Sequence, residues 1–315
     1  MGKTAFIFPG QGSQYVGMAK EFYETYKESR EVFEIAGEAA GFSMEELVFE
    51  ENVRLNQTKY TQPALLTACC AILRAVEQTG IQPDMTAGLS LGEYCALVAA
   101  KSLDVKDAVK VVCRRGMYME DAVPAGKGAM AAVLSRKPIP MEEICEKVYE
   151  ETGKIVNVAN YNCPGQQVIS GELEAVKMTG DLFLQAGAAR IVPLNVSGPF
   201  HSPMLKEAGA QLRTLLDGID LKKPEVEFVS NVTAKQCEDV KELKDLLGQQ
   251  VYSSVRWQQS VEYMIEQGAD TFVEIGPGKS LSGFIKKINP AMTVLHVEKP
   301  EDLEKLTEWM RAKTC

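Results

Sequence analysis

The chain of 315 residues holds only two histidines, His201 and His296. With no CxxC pair and no ligand spacing, that scarcity argues against a zinc site. Eight cysteines, at 69, 70, 95, 113, 145, 163, 237 and 315, are scattered and read as small apolar packing residues. No run of about 18 apolar residues occurs, so no transmembrane helix is expected. The only apolar run near the N-terminus, Ala5 to Phe8, is too short for the core of a signal peptide. With no export signal, the cysteines are expected to be reduced thiols in the cytoplasm. Fixed-period repeats and low-complexity stretches are absent, which excludes solenoid, collagen-like and coiled-coil architectures. An excess of basic charge is missing too. Thirty-four Lys and Arg stand against 43 Asp and Glu, a net charge of −9 that argues against a nucleic-acid binder.

What is present is ordinary globular composition, 45% hydrophobic, on a chain long enough for one large domain or two joined ones. Ala5–Phe8 and Met85–Gly88 read as short buried strands, and the patterns near 15–26, 61–79, 93–100 and 105–122 read as helices. From Gly126 the rhythm changes. Strands over 129–134, 154–159, 167–170 and 190–194 alternate with helical patterns at 141–149 and 172–186. The order β-α-β-β-α-β is the split unit of a ferredoxin-like domain. Residues 127–195 are therefore expected to form a small inserted domain. Residues 1–126 and 196–315 form a large α/β domain with a parallel sheet and helices on both faces. The large domain resumes with strands at 228–230, 271–275 and 294–297 and helices at 240–252, 260–267 and 280–287.

Gly88-Leu89-Ser90-Leu91-Gly92 has the G-x-S-x-G form of a nucleophile elbow, with a strand just before and a helix just after. Such a turn exposes the serine Oγ and lets the backbone N–H of Leu91 face a developing oxyanion. A serine hydroxyl needs a base. His201 sits in the turn-rich Ser197-Gly198-Pro199-Phe200-His201-Ser202-Pro203 loop and is the candidate; His296 reads as a strand-face residue. No Asp stands out as the third member, which opens that place to a backbone carbonyl. Arg115 falls on an apolar helical stripe with Ala108, Val112, Met119 and Ala122. Two readings of that charge stand, a fork for a substrate carboxylate and an internal salt bridge. Two glycine-rich loops fail as phosphate cradles. Gly276-Pro277-Gly278-Lys279-Ser280 has Val273 where the first Walker glycine belongs, and Gly10-Gln11-Gly12 lacks the third glycine of the dinucleotide fingerprint.

Taken together, these residues resemble the malonyl-CoA:acyl carrier protein transacylases of fatty acid synthesis. The resemblance rests on Phe8-Pro9-Gly10-Gln11-Gly12-Ser13-Gln14, Gln62-Pro63-Ala64, Gly88 to Tyr94, and Arg115-Gly116 with Met119. It continues through Asn160 to Gln166, Phe200-His201, Gln250-Val251-Tyr252 with Trp257, and Glu274 to Gly278, in order from residue 4 to about 285. The family implies the same fold, an α/β-hydrolase-like large domain with a ferredoxin-like insert. It implies a ping-pong serine acyltransferase, in which Ser90 takes the malonyl group from malonyl-CoA and His201 is the base. The backbone N–H groups of Gln11 and Leu91 match its oxyanion hole, Arg115 its malonyl-carboxylate ligand, and Gln250 the residue whose carbonyl orients the histidine. No cofactor and no metal are implied, and the partners are malonyl-CoA and acyl carrier protein, acting on a monomer. The chain departs from the family at Leu89, where many members have His, and at Tyr252-Ser253-Ser254-Val255, where a proline is common. Two other enzymes share parts of the pattern, a malonyl acyltransferase acting in trans for a polyketide synthase and a serine thioesterase. A binding protein with an inert serine is the non-enzyme alternative. Lys279, Lys286 and Lys287 are weak candidates for docking an acidic carrier.

Overall fold

The computed structural model describes residues 2–314; Met1 and Cys315, the last of the cysteines read above, lie outside the described residues. Among the described residues, nine strands build two sheets. β1 (Lys3–Phe8), β2 (Met85–Gly88), β7 (Glu227–Phe228), β8 (Ala269–Ile275) and β9 (Thr293–Val297) form a wholly parallel sheet in the order β7-β2-β1-β8-β9. β1 is its central strand and reads as an unbroken apolar run because both of its faces are covered. Phe6 and Phe8 point into one core, against the helices Thr58–Gln78, Gly92–Ala99 and Val105–Asp121. Ala5 and Ile7 point into the other, with Trp257, Val261, Leu281 and Ile285 from the helices Trp257–Glu266 and Ser280–Ile288.

β3 (Gly128–Leu134), β4 (Val156–Cys163), β5 (Gln166–Glu172) and β6 (Arg190–Pro193) form an antiparallel sheet in the order β4-β5-β3-β6, the ferredoxin-like arrangement. Alternation along its strands separates two faces. Val133, Val158 and Ile169 pack under the helices Met141–Thr152 and Leu173–Gln185. Met130, Ala132 and Val168 face the other way, into a cavity shared with the parallel sheet. Backbone bonds tie the two sheets' segments together: Tyr161 N–H donates to the Val255 carbonyl at 2.9 Å, and Val255 N–H to that of Ala159 at 2.8 Å.

The structure departs from the sequence reading in several places. The pattern at 15–26 is not one helix. Gly17 and Ala19 take positive φ, helix forms only over Lys20–Thr25, and a second helix spans Lys27–Ala40. The second predicted helix starts three residues early, at Thr58, so Pro63 lies inside it rather than in its first turn. The helices Met44–Phe49, Lys206–Asp217 and Pro300–Thr314 were not anticipated. Among the described residues, no helix is long and apolar enough to cross a membrane.

Candidate active site

β2 ends at Gly88, the chain turns through Leu89-Ser90-Leu91, and the helix Gly92–Ala99 leaves at once. Ser90 takes φ +54°, the left-handed region, which costs an L-residue with a β-carbon about 1–2 kcal/mol. The crossing is tight. A side chain at Gly88 would collide with the backbone of Gly92, and one at Gly92 with the Phe8 carbonyl, so both glycines are sterically required. Side chains hold the strained turn from both ends. Asn231 Oδ1 accepts the Ser90 N–H at 2.7 Å, and Gln250 Nε2 donates to the Ser90 carbonyl at 2.9 Å.

His201, also at positive φ, is buried in its loop, with its own N–H on the Val251 carbonyl at 3.1 Å. Its Nε2 stands 2.8 Å from Ser90 Oγ and its Nδ1 2.8 Å from the backbone carbonyl of Gln250. A carbonyl can only accept, so Nδ1 carries the proton and the Nε2 lone pair faces the serine. Burial, and then the nearby Arg115 charge, push the imidazole down to about 4, which keeps it neutral at pH 7.

Arg115 is 1% exposed on the inward face of the helix Val105–Asp121. Its Nη1 donates to Gln62 Oε1 at 2.8 Å; its Nη2 donates to Gln250 Oε1 at 2.7 Å and to Ser90 Oγ at 3.1 Å. Among the described residues no carboxylate forms an ion pair with it, so the internal salt bridge is not what the site contains. The Arg115 Cζ lies 5.6 Å from the centroid of the buried Tyr94 ring, and the nearest anionic compensation is indirect. Gln250 Nε2 donates to the buried carboxylate of Glu93, which also accepts the Asn231 N–H at 2.7 Å. Burial raises Glu93 to about 7 and lowers Arg115 from its usual range.

A cavity of about 330 Å³ opens over Ser90 and His201. Gln11, Leu91, Arg115 and Gln62 line it from the large sheet's side, with Asn160, Asn162 and Gln166 from β4 and β5 opposite. Among the described residues, neither the Gln11 nor the Leu91 backbone N–H donates to a protein acceptor. Gln11 is held through its side chain, Nε2 to Thr58 Oγ1 at 3.1 Å, and Thr58 Oγ1 in turn meets Ser197 Oγ at 2.7 Å.

Other sequence candidates lie apart. His296 sits on β9 beside Glu274, with Nε2 3.2 Å from the Gly276 carbonyl, and does not line this cavity. The Walker-like loop does lead into a helix, but protein carboxylates fill its anion positions. Glu298 takes the Gly278 N–H, and Glu274 takes those of Leu281 and Ser282. Among the described residues, no group of three or more His, Cys, Asp or Glu gathers to hold a metal ion. The sequence reading missed Asn231 and the roles of Glu93 and Gln62. Asn231 follows a two-residue strand and reaches the elbow across 141 positions, a contact no local spacing signals.

A serine on a strand-to-helix elbow, hydrogen-bonded to a buried histidine at the floor of a cavity, is the constellation of a serine enzyme of acyl transfer. Residues 5–289 match the model of the acyl transferase domain. The chain is 46% identical over 305 residues to the malonyl CoA-acyl carrier protein transacylase of Bacillus subtilis (strain 168), covering 96% of each chain. The crystal structure of the transacylase of that name from Clostridium perfringens superposes with a TM-score of 0.94 at 44% identity, over 99% of this chain and 98% of that one. A malonyl-transacylase solved in complex with a type II polyketide synthase acyl-carrier protein superposes equally well, at 0.94 and 38% identity, over 97% of this chain and 99% of that one. The chain belongs to the malonyl CoA-acyl carrier protein transacylases of the acyl transferase family.

Proposed function

We propose that this enzyme moves the malonyl group from malonyl-CoA to the phosphopantetheine thiol of acyl carrier protein, in two half-reactions through a malonyl ester on Ser90. His201 Nε2 takes the Ser90 proton as Oγ attacks the thioester carbonyl. The developing oxyanion is met by the N–H groups of Gln11 and Leu91. CoA leaves as its thiol, taking the proton back from His201. The carrier thiol then attacks the malonyl ester as His201 takes its proton, and His201 passes that proton to Ser90 Oγ as the serine is expelled.

The observation that carries this reading is the buried Arg115 guanidinium, which among the described residues has no carboxylate in an ion pair with it and which donates to the nucleophile. A buried charge left without an ionic partner is costly. A malonyl carboxylate in the cavity would supply that partner and set the thioester carbonyl at Ser90. An acyl group without a carboxylate would not, which disfavours a general thioesterase. The chemistry asks for no cofactor, because the acyl group is already activated as a thioester. All the proposed groups come from one chain, which supports action as a monomer. A reducing compartment, the cytoplasm, suits an acceptor that must be a free thiol. We read the chain as a large domain, 1–126 and 196–315, roofed over its site by the inserted 127–195 domain.

Fatty acid synthesis is the pathway we assign. The polyketide reading stays in view because a relative bound to a polyketide carrier has the same fold. Lys286 Nζ donates to the carbonyls of Pro290 and Met292 and Lys287 Nζ to Gln166 Oε1, neutral partners that leave both charges available to an acidic carrier. Comparing transfer rates to fatty-acid and polyketide carriers tests the assignment: a higher kcat/KM on the fatty-acid carrier supports it, and the reverse order overturns it.

A further inference from the structure

We propose that Asn231 is a positioning residue of the acyl-transfer step, acting by holding the left-handed turn that aims Ser90 Oγ at His201. The proposal rests on the malonyl-transfer reading above. β7 pairs with β2 only at Glu227 and Phe228, and the last backbone bond of that ladder is Val229 N–H to the Thr86 carbonyl at 3.0 Å. Beyond it the chain turns away into a tight loop, with Ser230 N–H on the Lys235 carbonyl. The elbow side of β2 is thereby left without a neighbouring strand.

The side-chain amide of Asn231 fills that place. Its Nδ2 donates to the Gly88 carbonyl at 2.7 Å and its Oδ1 accepts the Ser90 N–H at 2.7 Å. These are the two backbone groups flanking Leu89, the pair that a single residue of a parallel neighbour would bond. On the opposite side Leu89 N–H bonds the Phe8 carbonyl of β1 at 3.0 Å, so the turn is gripped from both edges. Asn231 is fully buried and is itself fixed by its backbone N–H on Glu93. Only an amide of this length offers a donor and an acceptor to the two groups at once. Without it, two buried backbone groups lose their partners, and the φ +54° conformation of Ser90 is opposed by strain with less to hold it.

The test is rapid-quench acylation of the full chain by malonyl-CoA, for wild type, Asn231→Ala and Asn231→Ser, with thermal midpoints alongside. Ser90 is also labelled with a fluorophosphonate, whose attack needs the aimed nucleophile but no malonyl recognition. Wild-type acylation on Ser90 is the precondition; its absence overturns the malonyl-transfer reading rather than the role of Asn231. Given that acylation, Asn231→Ala is expected to acylate about 100-fold more slowly at saturation. Its half-saturating malonyl-CoA concentration should stay within about threefold, and fluorophosphonate labelling should slow in parallel. Asn231→Ser, whose hydroxyl serves one of the two groups, should lose about tenfold, and it carries the test if the alanine variant does not fold. A folded variant with wild-type acylation and labelling rates overturns the proposal. So does a loss expressed wholly as weaker malonyl-CoA binding with labelling unchanged.

Discussion

Arg115 rests its Nη2 on the Oγ of Ser90, at 3.1 Å. The group proposed to hold the acyl carboxylate thus touches the atom that attacks the acyl carbonyl. Carboxylate recognition and nucleophile placement share one guanidinium, so selectivity and rate are coupled in this site.

Replacing Arg115 by Ala should therefore cost malonyl-CoA more than acetyl-CoA. A desolvated ion pair of this kind is worth about 2–5 kcal/mol by truncation. The ratio of kcat/KM for malonyl over acetyl should fall by at least about 30-fold. Equal losses on the two substrates would contradict the assignment.

A histidine held down to about 4 stays a competent base well below the usual range of imidazole. The acid limb of kcat/KM should lie near pH 4 to 5 in wild type. Burial is the larger cause and the Arg115 charge the second, so Arg115→Ala should move that limb up toward 6.5. A wild-type limb already at 6.5 would show that the imidazole is not desolvated as described.

Glu93 and His201 should bend the stability curve in opposite senses. Glu93 rises from 4.5 to about 7 on folding, so stability is lost as pH climbs through that window. His201 falls from 6.5 to about 4, so stability is lost as pH drops through its own. Each is worth about 3 kcal/mol, at about 1.4 kcal/mol per pH unit of displacement. Between pH 4.5 and 6.5 the two largely cancel. Denaturant unfolding of Glu93→Gln, set against wild type, should show the variant gaining about 3 kcal/mol relative to wild type from pH 4.5 to 7. A constant difference between the two proteins would mean that Glu93 is ionised throughout.

Gln250 serves the site through both backbone and side chain. Its backbone carbonyl takes His201 Nδ1, while its side chain bridges Arg115 and Glu93 and donates to the Ser90 carbonyl. Gln250→Ala removes the side-chain contacts and keeps the carbonyl. It should retain more acylation than His201→Ala, by at least about tenfold, while losing malonyl-over-acetyl preference. Loss as complete as in His201→Ala would mean that the side chain, not the carbonyl, sets the base.

The central strand, the G-x-S-x-G turn and the β-α-β-β-α-β order were legible because each is a local pattern of period or punctuation. Arg115 was legible as an anomaly, a charge on an apolar stripe, though only the fold shows that no carboxylate pairs with it. Asn231 was not legible, because its partners Gly88 and Ser90 are distant in sequence and its own neighbourhood reads as a loop. The break near Gly17 and Ala19 was hidden by apolar spacing that continues across it; the positive φ values there overrode the helical period.

The most direct test of acyl transfer through Ser90 is intact mass with peptide mapping, first after malonyl-CoA and then after adding acyl carrier protein. The account predicts one malonyl group on Ser90, its passage to the carrier thiol, and no adduct in Ser90→Ala. A malonyl group lost to water as fast as it forms, or an unchanged adduct in Ser90→Ala, would contradict it.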